Sequence, residues 1–78
     1  MKKIGLEELE KLMEEKAGEG AWARIVGFYR KLKSDELTAK ERWHILCLFG
    51  RNLLKRGFQL DSEVVVALLE GKIKKGGK

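Results

Sequence analysis

The chain has no proline, and Ser, Thr, Asn and Gln together number only five. It has one cysteine, Cys47, and one histidine, His44. Each scarcity excludes something. Without a second cysteine no internal disulfide can form, so the expected setting is a reducing, cytoplasmic one. A structural zinc site takes about four Cys or His ligands, and one chain offers two. No apolar run approaches the ~20 residues of a membrane span. Glu7, Glu8 and Glu10 interrupt any leader-like apolar stretch after Lys2 and Lys3. Few amides beside abundant Lys and Glu is the composition of heat-adapted proteins, and it predicts a thermophilic source.

Catalytic patterns are scarce as well. The nine glycines never fall into GxGxxG or a phosphate loop. Cys47 and His44 sit three residues apart, close together on a helix. Cys47, however, falls on an apolar arc, which reads as a buried structural thiol and not a nucleophile. Glu7, Glu8, Glu10, Glu14 and Glu15 read as a solvated acidic face. The expectation is a protein without enzymatic activity, cofactor, metal or small-molecule substrate.

What the chain does have is a run of eight uncharged residues, Trp43 to Gly50, in a sequence that is 37% charged. Thr38 precedes it with Glu41 three residues on, the T-x-x-E capping box that starts a helix. Lys55, Arg56 and Gly57 follow it, cations at the negative helix end and then a residue that turns left-handed. The spacing predicts a central helix over 39–56.

Three further helices follow from the apolar periodicity. Residues 6–17 place Leu6, Leu9, Leu12 and Met13 on one face, and the Gly18-Glu19-Gly20 joint predicts that this first helix is mobile. Helix two covers 21–33, with Ala21, Ile25, Phe28 and Leu32 stacked and Trp22, Val26 and Tyr29 widening the arc. The fourth covers 63–72 after a cap at Asp61 or Ser62. Its three consecutive valines suit a strand, but no partner strand is evident, and a lone strand leaves its backbone unpaired. The predicted fold is all-α: a small bundle of four helices around the central one, a single domain over 1–72, and a disordered basic tail over 73–78. The predicted core is Leu12, Trp22, Ile25, Phe28, Leu32, Trp43, Leu46, Phe49, Leu53, Leu54, Leu60, Val65 and Leu68.

At about 100° per residue the central helix divides into sectors. Ala39, Trp43, Leu46, Cys47, Phe49, Gly50, Leu53 and Leu54 share an arc of roughly 160°, assigned to the core. Lys40, His44, Arg51 and Lys55 form a basic stripe. Ile45 and Leu48 lie beyond the stripe, where exposure would make them an interaction surface.

Charge is uneven along the chain. Residues 1–20 carry four bases and six acids (−2), residues 21–60 nine and three (+6), and residues 61–78 four and three (+1). The basic middle predicts a small nucleic-acid-binding or nucleoprotein-accessory module that contacts phosphates of DNA or RNA without reading sequence. Its candidate contacts are Arg24, Arg30, Lys31, Lys40, His44, Arg51, Lys55 and Arg56, supplemented by Lys33, Lys72, Lys74 and Lys75. The alternative is a protein-interaction module, a homodimer or an adaptor or inhibitor on a larger complex, docking through Ile45 and Leu48.

Overall fold

The computed structural model describes residues 2–71; the expected tail over 73–78, and Lys72 before it, lie outside them. The elements run β1 (Lys2–Ile4), α1 (Leu6–Lys16), α2 (Gly20–Leu32), α3 (Ala39–Lys55), β2 (Phe58–Leu60) and α4 (Ser62–Glu70). The fold is a small, mostly helical bundle in which α3 packs on α2, α4 and β2, while α1 packs on α2. Among the described residues no helix is long and apolar enough to cross a membrane.

The predicted signals start and stop α3. The Thr38 hydroxyl accepts from the Glu41 N–H at 3.2 Å, and the Glu41 carboxylate accepts from the Thr38 N–H at 3.0 Å. Both donors would otherwise be orphans of the first turn. At the other end the N–H groups of Arg56 and Gly57 donate to the carbonyls of Leu53 and Leu54. Gly57 then takes φ +87°, open to glycine without strain.

The three valines are helical after all, within α4, which Gly71 ends in the left-handed region at φ +69°. The chain does contain strands, but elsewhere. β1 and β2 pair in parallel, Lys2 opposite Phe58, Lys3 opposite Gln59 and Ile4 opposite Leu60. The ladder is extended by Lys2 N–H to the Gly57 carbonyl and Asp61 N–H to the Ile4 carbonyl, each 3.0 Å. Three-residue strands are too short to show a period-2 pattern, which is why periodicity misses them. The pair carries Ile4 into the core and sets Phe58 edge-on to Trp22, ring centroids 6.0 Å apart at 70°.

The buried core draws on every element but β2. Ile4, Leu9 and Met13 meet Trp22, Ile25, Val26, Tyr29 and Leu32, then Leu46, Phe49 and Leu53, then Val64 and Leu68. Leu12, Phe28, Leu60 and Val65, expected inside, are partly buried against it. Four assignments to the core arc of α3 are corrected: Trp43 is 57% exposed and Leu54 45%, and Ala39 and Cys47 are exposed as well. Neighbours cover α3 only on one half of its apolar arc. A nine-residue α4 and a three-residue β2 are too small to wrap the other half, the usual shortage of covering surface in a domain of this size.

Arg42 takes a place that apolar periodicity does not assign to a cation. It is buried on the same side of α3 as Leu46, Phe49 and Leu53. Its guanidinium donates to the carbonyls of Leu32 and Ser34, where α2 ends and presents unpaired acceptors and a negative dipole end. The same group lies against the C-cap of α4: a Cβ built on Gly71 would stand 2.6 Å from Arg42 Cζ. One cation thus joins the C-terminal ends of α2 and α4 to the first turn of α3.

A second polar tie holds α1 to α2. The Tyr29 hydroxyl donates to Glu10 Oε2, Lys33 Nζ stands 3.6 Å from the same carboxylate, and the Tyr29 ring stacks on Phe49 with centroids 5.9 Å apart. Burial, and then the bond to Glu10, raises the Tyr29 pKa far above its ordinary value. A folded pKa above the unfolded one means that this contribution to stability is complete below about pH 10 and is lost as pH climbs beyond it. The difference in urea midpoint between wild type and Tyr29→Phe should therefore hold steady at neutral pH and shrink above about pH 10. A pH-independent difference would show that the hydroxyl does not couple to folding.

Candidate functional site

All eight candidate nucleic-acid contacts are exposed. The structure brings some of them together and separates others. Lys40, His44, Arg51 and Lys55 run along one side of α3, as their spacing requires. Lys31 of α2 joins them across the helix pair: it lines one hollow with Lys40, His44, Leu37, Glu41 and Ile45. Arg24 lies two turns before Lys31 on α2. Arg30 points elsewhere, into the α1–α2 hollow beside Glu10 and Glu14. Arg56 is engaged too, with its guanidinium 5.3 Å from the centroid of the Trp22 ring. The working set is Arg24, Lys31, Lys40, His44, Arg51 and Lys55. Among the described residues none of these six is ion-paired with a carboxylate; the pairs that do form use Lys2, Lys16 and Lys33.

Ile45 and Leu48 are half-buried, Ile45 at the edge of the core and Leu48 accepting at its carbonyl from the Asn52 side chain at 2.8 Å. The larger exposed apolar surface lies on the opposite side of the buried face. Trp43, Cys47, Gly50 and Leu54 line a shallow groove with Leu46, Arg51, Gln59, Leu60 and Val65. Cys47, expected to be buried, is an exposed free thiol. Val66 of α4, 52% exposed, adds a further large apolar residue to the surface of the helix that walls this groove.

The apolar arc of α3 is therefore two faces. Arg42, Leu46, Phe49 and Leu53 turn inward, while Trp43, Cys47, Gly50 and Leu54 turn outward about 100° further round. The basic stripe follows about 80° beyond that. The signal was present in the arc's width: roughly 160° is more than one packing face, and the surplus half must find a neighbour or face water.

Among the described residues no three His, Cys, Asp or Glu side chains converge where a metal could sit. No protein-family model matches the chain, nor does any curated protein or solved structure.

Proposed function

We propose that the protein is a nucleic-acid-binding module that holds phosphates along the basic side of α3 and reads no sequence. The observation that carries this reading is the run Lys40, His44, Arg51 and Lys55, exposed over almost the full length of one helix and unpaired among the described residues. Lys31 widens the run onto α2. Such a strip matches a phosphate backbone by charge alone, and each phosphate neutralised releases a counterion. The exposed thiol of Cys47 suits a reducing, cytoplasmic setting.

Two charge-matched variants test the reading. Binding of mixed-sequence DNA and RNA should fall with salt, with a slope of about 3 in log K against log salt if three or four phosphates are contacted. Arg51→Gln with Lys55→Gln should reduce that slope by about 2. Arg30→Gln with Arg56→Gln removes the same charge from residues that lie away from the α3 stripe or over Trp22, and should leave the slope within about 0.5 of wild type. Equal losses in both would mean that net charge alone governs binding. No uptake at low salt would remove the reading.

A second reading, a protein-interaction module, is favoured by the exposure of Trp43 and Leu54 on one face. Its expected mark is an association that salt does not weaken.

A further inference from the structure

We propose that the hollow between α2 and the start of α3 seats one unstacked nucleotide of a single-stranded nucleic acid. Lys31, Lys40 and His44 hold its phosphate, and Leu37, His44 and Ile45 take its base. This rests on the phosphate-binding reading above and narrows it, because the strip of α3 then prefers single strands to duplex.

The hollow lies where the last turn of α2, the link after it and the first two turns of α3 meet. It measures about 390 Å³, within the ~300–1,000 Å³ of small-molecule sites. Its lining is of two kinds. Lys31, Lys40 and His44 are basic and exposed, whereas Leu37 and Ile45 are apolar and half-buried. The sixth residue, Glu41, has its carboxylate engaged by the Thr38 N–H at 3.0 Å in the capping box. A bare phosphate leaves the apolar part of this lining unused, and a wholly apolar ligand leaves the cations unused. A nucleotide has both parts.

Leu37 is the residue that singles this hollow out. Ile45 also packs against the core, but Leu37 does not, so its apolar surface serves the hollow alone. The hollow is continuous with the basic strip, since Lys40 and His44 belong to both. From Lys40 to Lys55 α3 runs about 22 Å. A strand whose phosphates lie along Lys55, Arg51 and His44 therefore passes the mouth of the hollow at the end of that run.

Charge alone favours the opposite ligand. Duplex DNA carries one charge per ~1.7 Å of axis against one per ~3.4 Å for either strand, so a bare cationic strip holds duplex more tightly. The bases of a duplex, however, are stacked and paired, and their faces cannot enter the hollow. An unpaired base can lie against an imidazole and apolar side chains. Every base has such a face, so the contact stays indifferent to sequence.

Fluorescence anisotropy with a labelled oligonucleotide of about 12 residues, a length in the range of single-strand sites, tests the proposal. The mixed-sequence strand is offered alone, as a duplex with its complement, and as an abasic strand that keeps the phosphates and lacks the bases. The wild type should bind the intact single strand about tenfold more tightly than either other form. Leu37→Ser changes no charge and lies outside the core, so its melt should match wild type and serves as the folding control. It should reduce the single-strand preference by about fivefold and leave duplex affinity and the salt slope unchanged. Equal affinity for the intact strand and either other form overturns the hollow as a base site and leaves the phosphate-binding reading standing. So does a single-strand preference that Leu37→Ser leaves intact. No uptake of any form at low salt removes the phosphate-binding reading, and this proposal with it.

Discussion

Arg42→Met is expected to cost about 3–4 kcal/mol of folding stability, and a thermal melt should show it as a midpoint lowered by about 12–32 °C. The size follows from what the guanidinium leaves behind. Its two bonds reach the carbonyls of Leu32 and Ser34 at the end of α2, and a charged donor contributes about 1.5–3 kcal/mol per bond. Methionine keeps the packing of the stem but donates nothing, so the Leu32 and Ser34 carbonyls lose that donor. Gly71 supplies a cross-check, since its site is closed to a Cβ by the same guanidinium. Gly71→Ala should be destabilising in the wild type, through both its positive φ and this clash, and less so once Arg42 is Met. Additive effects in that double-mutant cycle would mean that the two groups do not touch in solution, and a loss below about 1 kcal/mol for Arg42→Met would remove the clamp.

Phe49→Ala should cost about 3–5 kcal/mol, which for a domain this small is most or all of its stability. Phe49 is fully buried at the middle of α3 and stacks on Tyr29, so the substitution opens a cavity and strips one face of the ring that ties α1 to α2. Phe49→Leu, which keeps most of the volume, should cost under about 1.5 kcal/mol. Urea unfolding separates the two. If alanine and leucine behave alike, the site is looser than its burial implies.

Much of this fold was legible in the residues. Thr38, Glu41 and Gly57 fixed both ends of α3 because caps are local chemistry, decided within one turn. The valines of α4 were legible for a negative reason: a strand requires a partner, and that stretch has none. What could not be read depends on neighbours. Periodicity ranks the sides of a helix by polarity but does not say how many sides will be covered, so it places Trp43 and Leu54 inward with Leu46 and Phe49. Arg42 escapes a polarity pattern for the converse reason. Its angular place is central to the buried face, yet a cation is buried only when acceptors converge on it, and these come from the last turn of another helix. The basic stripe, a property of one helix, was legible; that Arg30 lines the α1–α2 hollow and Arg56 lies over Trp22 was not.

The strand pair has a consequence for the order in which the molecule assembles. Ile4 and Leu60 are among the most distant partners in the chain, and α1, α2 and α3 all lie inside the loop that their pairing closes. Closing a loop of that length has an entropic cost of about 3–4 kcal/mol, whereas the α3 caps close within four residues. The pair should therefore form after the helices have brought its two halves together and open before they part. Native-state hydrogen exchange should find the amide of Asp61, bonded to the Ile4 carbonyl, released by a smaller fluctuation than those of Phe49 or Leu53. The N-terminal strand is then a latch, the last contact made and the first undone.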